Sequence, residues 1–167
     1  NDEKLAEKIR MIISHGSKKK YYHETLGVNS RLDSIQAAIL DIKLKYLDEY
    51  CEARYNAAMK YNEKFKGIFE TPYIMPGVKH IFHQYSIRVK NRDKMMEFLK
   101  SNGIPSMIYY PVPLHMQEAY KYDYKPGDYP VSEEIAKDII SLPMHTELTD
   151  EEIDFISSKV IEFNSIQ

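Results

Sequence analysis

A run without proline or glycine, from Arg31 to Lys66, constrains the fold of this chain more than any other feature. Apolar side chains recur through it at the three- and four-residue spacing of one helix face, at Leu32, Ile35, Ile39, Ile42 and Tyr46. Gly67 follows, as is common after a helix. The pattern predicts one long helix, with a kink allowed. Its apolar first half is expected to be buried and its charged second half to be half exposed.

The turn before this helix is unusually polar. Ser30 is predicted to be the N-cap, and Asp33, three residues later, to complete a capping box. Asn29 and Arg31 flank the predicted cap, where the positive end of a helix favours anions. Two interpretations follow: a helix start that satisfies its own amides, or a binding site for a phosphate or a sugar diphosphate.

Composition excludes several classes of protein. The chain has 167 residues, 43% of them hydrophobic and 29% charged, which fits one globular domain or two small lobes. A net charge of −2 argues against nucleic-acid binding, and Lys18–Lys20 is interpreted as a solvated loop. The single cysteine, Cys51, fits a reducing cytoplasm. No segment is long and apolar enough to span a bilayer, and no signal peptide opens the chain, so we expect a soluble, cytoplasmic protein.

The first residues predict a helix with an apolar stripe made by Leu5, Ile9, Ile12 and Ile13. The chain opens at Asn1 without a methionine and enters this helix at once, so we expect it to be a fragment of a longer protein. Residues 17–28 show no clear period and are predicted to form a loop.

The remainder of the chain predicts a compact α+β lobe. Alternation from Ile81 to Val89 predicts a strand, Asn91 is expected to cap a helix that stops at Gly103, and residues 106–110 form a second strand candidate. A further helix is expected from Val131, followed by a short extended piece at residues 141–145. The last helix opens with a capping box at Thr149 and Glu152 and a hydrophobic staple between Leu148 and Ile153.

No metal site or reaction centre is predicted in this chain. His80 and His83 have a ligand-like spacing, but on the predicted strand they would point to opposite faces. The sequence has no Walker loop, no GxGxxG and no GxSxG motif. No residue pattern supports Cys51 as a nucleophile.

Ordered blocks of the sequence resemble one protein family. GVNSRLDSIQAAIL is followed by a charged helix and then by HQYSIRVKNRDKMMEFLKSNGI, YYPVPLHMQEAY and SLPMHTELTDEEI. In this order they are similar to the C-terminal part of the DegT/DnrJ/StrS sugar aminotransferases. The resemblance implies an α/β parent with the type I fold of pyridoxal-phosphate enzymes, of which this chain would be a long helix plus a small α+β C-terminal domain.

The resemblance also implies a division into domains. Residues 1–30 would be the end of the large cofactor-binding domain together with an active-site loop. Residues 31–66 would be the long connecting helix, and residues 67–167 the small C-terminal α+β domain.

The implied cofactor is pyridoxal 5′-phosphate, bound as a Schiff base to a lysine. That lysine is expected upstream of this chain, so no catalytic residue is assigned here and the chain alone is not expected to transaminate. The family resemblance further implies a homodimer with shared active sites. Asn29 would bind the cofactor phosphate, and Arg31 would bind the sugar nucleotide.

Three more residues are candidates for substrate binding. Tyr109 and Tyr110 match the position where relatives place a His-Tyr or Tyr-Tyr pair against the sugar, and His115 lies on the following turn. The alternative is a proline-fixed connector with packing aromatic rings, in which His115 only caps a turn. The uronate branch of the family carries histidine where this chain has Tyr109, which puts a uronate substrate in doubt.

The expected reaction is amination of a keto sugar linked to UDP or dTDP, at C3, with glutamate as the donor, for surface polysaccharide or amino-sugar biosynthesis. Two alternatives stay open. One is a dehydratase of the same family, in which histidine replaces the lysine. The other is a non-catalytic module for dimerisation or binding.

Overall fold

A computed structural model of the chain describes residues 1–166, and these residues form two compact units, residues 1–47 and residues 48–166. No helix among the described residues combines the length and the apolar character needed to cross a membrane.

The first unit begins with helix α1, Glu3–Ile13, which Asp2 caps by accepting a hydrogen bond from the amide of Leu5 at 3.0 Å. The short strands β1, Ser17–Lys19, and β2, Tyr22–His23, then pair antiparallel. The prediction of a plain loop over residues 17–28 was therefore wrong in part. Tyr21, with a φ of 72°, makes the turn between the strands, and strands this short leave no periodic signal in the sequence.

Helix α2 spans Ser34–Leu44, and its N-cap is Asp33. The Asp33 carboxylate accepts the amide of Gln36 at 2.8 Å, so the predicted capping box opened by Ser30 was wrong. The physical reason is that the Ser30 amide is bonded to the carbonyl of Ile13 at 3.0 Å, which keeps Ser30 in the extended segment before the helix. The predicted burial of the first half was also wrong, because no residue of α2 is buried.

The predicted long helix is divided into two helices. Lys45 and Tyr46 separate α2 from α3, which spans Leu47–Phe65. The amides of Lys45 and Tyr46 bond to carbonyls three residues earlier, at 3.3 and 3.1 Å, and this tighter turn ends α2. Neither glycine nor proline marks the break, so the sequence allowed a kink without locating it.

The second unit is built on a two-stranded antiparallel sheet. Strand β3, Tyr85–Arg88, pairs with β4, Ile139–Leu142, so that Tyr85 faces Leu142 and Arg88 faces Ile139. Around the sheet lie α4, Arg92–Ser101, α5, Pro130–Asp138, and α6, Asp150–Ser165, together with two 3-10 turns, Leu114–Met116 and Glu118–Tyr120. Fully buried side chains from α3, both strands, α4 and α6 form the core, among them Tyr61, Phe65, Tyr85, Ile87, Leu99, Ile140, Ile153 and Val160.

Two strand predictions need correction. The first strand begins at Tyr85 rather than Ile81, because Phe82 is buried with a φ of 44°, a backbone conformation that breaks an extended run. Residues 106–110 do not form a strand. Met107 alone pairs with Ser141, through two hydrogen bonds of 3.1 and 2.8 Å. The partner of β3 is therefore β4, and residues 1–166 form no βαβ-like unit.

The predictions at the helix starts were partly confirmed. Thr149 and Glu152 form the predicted capping box, with Glu152 N to Thr149 Oγ1 at 3.2 Å and Thr149 N to Glu152 Oε2 at 2.9 Å. Asn91 does precede α4, but its backbone is left-handed and its side chain makes no capping bond. The extended piece predicted after α5 is confirmed by β4, which begins two residues earlier, at Ile139.

Candidate functional site

Two glycines of the first unit fix the path of the segment that carries Asn29. A Cβ on Gly27 would lie 2.0 Å from the amide nitrogen of Gly16, and one on Gly16 would lie 1.8 Å from the carbonyl oxygen of Thr25. Only glycine permits this approach of two backbones. The amide of Val28 then bonds to the carbonyl of Ile12 at 2.8 Å, and Asn29 pairs with Ser14.

Asn29 and Arg31, the two predicted anion-binding residues, are in contact and exposed. Arg31 Nε donates to Asn29 Oδ1 at 3.1 Å. This bond occupies the amide oxygen and leaves the Asn29 NH₂ group to donate elsewhere. Within residues 1–166, the guanidinium of Arg31 has no carboxylate at ion-pair distance. The pair therefore presents free hydrogen-bond donors and one positive charge that no carboxylate of the described chain balances.

The second unit contains a cavity of about 810 Å³, within the usual size range of small-molecule sites. It brings together the three other predicted residues, Tyr109, Tyr110 and His115. We call it the tyrosine cavity, because five tyrosines line it. Its full lining is Tyr109, Tyr110, Val112, Pro113, Leu114, His115, Gln117, Tyr120, Tyr124, Tyr129, Ser132, Ile135, Ala136 and Ile139.

The aromatic rings of this cavity contact one another at steep angles, with the three tyrosine pairs edge to face and the His115–Tyr129 pair tilted by 60°. The rings of Tyr109 and Tyr110 lie 5.6 Å apart, and a second series runs from His115 to Tyr129 at 4.9 Å, to Tyr124 at 5.9 Å and to Tyr120 at 6.4 Å. Tyr120, Tyr124 and Tyr129 each remain 40–49% exposed, so their rings keep surface for a ligand.

Glu133, in the first turns of α5, holds the loop that carries three of these tyrosines. Its Oε1 lies 2.9 Å from Nε2 of the buried His115 and accepts the amide of Gly127 at 2.7 Å. The hydrogen bond from His115, followed by those from the backbones of Gly127 and Tyr129, lowers the pKa of Glu133 below its ordinary value. The carboxylate is therefore ionised at neutral pH.

Sequence reasoning missed Tyr120, Tyr124, Tyr129 and Glu133. The available signal was the tyrosine-rich segment AYKYDYKPGDY, residues 119–129, directly after the proline-containing YYPVP. Its lack of period hid the fact that its rings return to the same cavity. By contrast, Asn29 and Arg31 lie in the first unit, whereas Tyr109, Tyr110 and His115 lie in the second.

His80 and His83 line a second cavity of about 700 Å³ in the second unit, together with Arg88. The expectation that they face opposite sides of a strand was wrong, since both precede β3. Arg88 is paired with Asp138 at 2.7 Å and Glu134 at 2.8 Å, and His80 Nδ1 accepts the amide of Phe82 at 3.0 Å. Among residues 1–166, no three His, Cys, Asp or Glu side chains are grouped to hold a metal ion.

The residues present fit part of a site for a phosphorylated cofactor. A phosphate needs several hydrogen-bond donors and a positive charge. The Asn29 amide supplies donors, and the Arg31 guanidinium supplies donors and the positive charge. No carboxylate in the described chain pairs with this guanidinium.

Residues 1–161 match the model of the DegT/DnrJ/EryC1/StrS aminotransferase family. The chain is 46% identical over 98% of its length to a pleiotropic regulatory protein of Geobacillus stearothermophilus, and covers 45% of it. It is 38% identical over 96% of its length to a dTDP-3-amino-3,6-dideoxy-α-D-galactopyranose transaminase of Aneurinibacillus thermoaerophilus, covering 44%. It is 39% identical over 96% to a UDP-2-acetamido-2-deoxy-3-oxo-D-glucuronate aminotransferase of Pseudomonas aeruginosa, covering 43%. The chain thus spans somewhat less than half the length of these relatives.

Solved structures share the fold. A DegT/DnrJ/EryC1/StrS aminotransferase from Brucella abortus matches with a TM-score of 0.89 at 42% identity, over 98% of this chain and 44% of that one. DesV of S. venezuelae, solved in complex with a ketimine intermediate, matches with a TM-score of 0.90 at 35% identity, over 98% and 45%. These likenesses confirm the predicted fold class, since the α/β arrangement of this chain is that of the matching part of these aminotransferases.

Proposed function

We propose that the protein carrying this chain aminates a keto sugar linked to UDP or dTDP. The premise is that the chain belongs to the DegT/DnrJ/EryC1/StrS aminotransferase family. The observation that carries the proposal is the tyrosine cavity. Tyr109, Tyr110 and His115 all line this cavity, whose aromatic and polar lining suits a sugar ring. The names of the relatives in Aneurinibacillus and Pseudomonas, one a dTDP-sugar and one a UDP-sugar enzyme, support this substrate class.

The proposed reaction is balanced between the two substrates. The C3 keto oxygen of the sugar is replaced by the amino group of glutamate. Glutamate takes up an oxygen at Cα in exchange and leaves as 2-oxoglutarate. The sugar carbon gains two electrons and the glutamate Cα loses two, so no external oxidant or reductant is needed. Pyridoxal 5′-phosphate, when bound, carries the amino group between the substrates and acts as the electron sink.

Within this chain, Asn29 and Arg31 would hold anions. The Asn29 NH₂ group, whose amide oxygen is engaged by Arg31, would donate to the cofactor phosphate. The Arg31 guanidinium would pair with the diphosphate of the sugar nucleotide, for which its fork of donors is suited. Tyr109, Tyr110 and His115 would contact the sugar. None of these residues replaces the Schiff-base lysine, so the 167-residue chain alone is expected not to transaminate.

The assembly and organisation belong to the same proposal. We expect a cytoplasmic homodimer with shared active sites. Residues 1–30 would form the end of the cofactor domain and residues 31–66 the connection. Residues 67–167 would form the small domain. Exposed apolar side chains on α2, including Ile35 and Leu44, fit a surface that further polypeptide covers.

The test is a product assay with the complete gene product that carries this chain. The enzyme is loaded with pyridoxal 5′-phosphate and given L-glutamate and a UDP- or dTDP-linked 3-keto sugar, and both products are identified by mass spectrometry. We expect equal amounts of amino sugar and 2-oxoglutarate. A dehydrated sugar without use of glutamate would instead assign the dehydratase alternative, and no turnover of any nucleotide sugar would contradict both.

A regulatory role is the second candidate, and one observation favours it. The relative in Geobacillus that is 46% identical to this chain is named a pleiotropic regulatory protein. Under this candidate the nucleotide sugar or cofactor would be bound without turnover. Binding measured by calorimetry in the absence of any product would support it.

A further inference from the structure

We propose that the sugar ring bound in the tyrosine cavity is electrically neutral, so that the substrate carries no carboxylate on the part that enters this cavity. The inference rests on the proposed function and narrows its substrate class. The relatives in Aneurinibacillus and Pseudomonas do not decide the question, because one is named for a deoxygalactose and the other for a glucuronate.

The charge of the lining carries the argument. Among the described residues that line the tyrosine cavity there is no lysine, arginine, aspartate or glutamate. A carboxylate that enters a partly closed site loses water and requires a cation or several donors in return. The lining provides no permanent cation to meet it.

Among the described residues of the lining, only His115 carries a basic side chain, and that side chain is already paired. Its Nε2 lies 2.9 Å from Oε1 of Glu133, whose pKa is lowered mainly by this contact. A protonated His115 would therefore be neutralised within the protein. A substrate carboxylate beside it would also meet the ionised Glu133, and like charges repel.

The arginines around α5 are engaged as well. Arg92 donates to the carbonyl of Ala136 at 2.9 Å and pairs with Asp93 at 2.7 Å. Arg88 is held by Asp138 through both carboxylate oxygens, at 2.7–3.1 Å. Neither guanidinium lines the tyrosine cavity, although the Ala136 and Ile139 side chains do.

What the cavity does offer suits a neutral hydroxylated ring. Aromatic faces stack against the C–H face of a sugar, and phenol hydroxyls exchange hydrogen bonds with its hydroxyl groups. In the described part of the chain, the hydroxyls of Tyr109, Tyr110, Tyr120, Tyr124 and Tyr129 make no internal hydrogen bond. They remain for a ligand or for water.

The experiment compares two probes that differ only at C6 of the sugar, UDP-glucose and UDP-glucuronate. Their dissociation constants for the complete gene product, loaded with pyridoxal 5′-phosphate, are measured by titration calorimetry. We expect UDP-glucose to bind about tenfold or more tightly than UDP-glucuronate, since the carboxylate finds no partner. Because both probes share the nucleotide, the ratio reports on the sugar alone.

A designed cation provides the matched variant. Leu114 lines the cavity and is 72% exposed, so Leu114→Arg is expected to fold. The new guanidinium should shift the ratio toward UDP-glucuronate by about fivefold or more. Leu114→Gln is similarly long and polar but uncharged, and it should leave the ratio unchanged.

The outcomes separate this inference from the proposed function. Equal binding of the two probes, or tighter binding of UDP-glucuronate by the unaltered protein, overturns the neutral sugar and leaves the aminotransferase proposal standing. A Leu114→Arg variant that folds but does not shift the ratio overturns the assignment of the sugar to this cavity. Failure of both probes to bind, repeated with the matching dTDP-glucose and dTDP-glucuronate pair, overturns the nucleotide-sugar proposal and this inference together.

Discussion

The backbones of Gly16 and Gly27 lie so close that a Cβ on Gly27 would be 2.0 Å from the amide nitrogen of Gly16 and 2.5 Å from the carbonyl oxygen of Ile12. Neither contact can be relieved by a side-chain rotation, because both atoms belong to the backbone. The same crossing leads directly into Val28 and Asn29, whose backbones pair with residues 12–15. The position of the candidate anion site thus depends on the absence of two methyl groups.

Gly27→Ala is therefore expected to destabilise the first unit by about 2 kcal/mol or more, as overpacking against fixed atoms does. Hydrogen exchange of the amides of residues 12–30, measured by mass spectrometry, reports the loss locally. Gly77→Ala is the control, because its Cβ meets no atom within 4 Å and only its φ of 79° opposes the change. The loss of protection in Gly27→Ala is measured around residue 27 and that in Gly77→Ala around residue 77. If the first loss were no larger than the second, the two backbones would not be in tight contact.

Arg31→Ala, in the complete gene product, is expected to weaken binding of the sugar nucleotide about tenfold, the usual effect of one charge-assisted hydrogen bond. Folding stability should change little, because Arg31 is exposed and has Asn29 as its only hydrogen-bond partner in residues 1–166. Titration of UDP-glucose provides the measurement. Arg10→Ala removes another exposed arginine, in the last turn of α1, and should bind normally. An unchanged dissociation constant for the Arg31 variant would remove it from the site.

Asn29 is expected to act on the cofactor rather than on the sugar nucleotide. Asn29→Asp keeps an oxygen for Arg31 but loses the NH₂ donor and places a negative charge beside the phosphate. Retention of pyridoxal 5′-phosphate should fall in this variant and in Asn29→Ala. The fall is followed as loss of visible cofactor absorbance during dialysis. Ser30→Ala alters the adjacent exposed side chain and should retain the cofactor. Full retention by both Asn29 variants would contradict the phosphate role.

Local signals in the sequence were reliable where the structure they specify is local. The capping box of Thr149 and Glu152 needs only four consecutive residues, and it formed as predicted. The choice between Ser30 and Asp33 as a cap was different, because it depends on a hydrogen bond from Ser30 to Ile13, seventeen residues earlier. A local sequence pattern cannot predict a hydrogen bond between residues so far apart in the chain.

The same distinction explains the candidate site. Tyr109, Tyr110 and His115 were predicted because a family motif marks them, and the structure brings them into one cavity. Tyr124 and Tyr129 join them because Glu133 bonds to both His115 and Gly127, across eighteen and six residues. A loop without periodicity gives no sign of where its side chains return. The contribution of Tyr124 and Tyr129 to the cavity therefore follows from the structure and not from the sequence.

Glu133 leads to a prediction about acid stability. Its pKa is lowered in the folded chain, chiefly by the hydrogen bond from His115 and then by the Gly127 amide, so the folded state binds a proton at this carboxylate less readily than the unfolded state does. The stabilisation is fully present above the ordinary carboxyl pKa. It is lost as the pH falls through the lowered value of the folded state.

Glu133→Gln keeps an oxygen that can accept the Gly127 amide but cannot titrate. We expect the variant to melt at a lower temperature than the unaltered chain at pH 7, and the difference to shrink as the pH is lowered through the acidic range. Circular dichroism melts at a series of pH values provide the measurement. Glu118→Gln, which removes an exposed carboxylate next to Lys121, is the control and should show a small difference at every pH. If the Glu133 difference were constant with pH, its effect would come from shape alone and not from the charge of the carboxylate that faces His115.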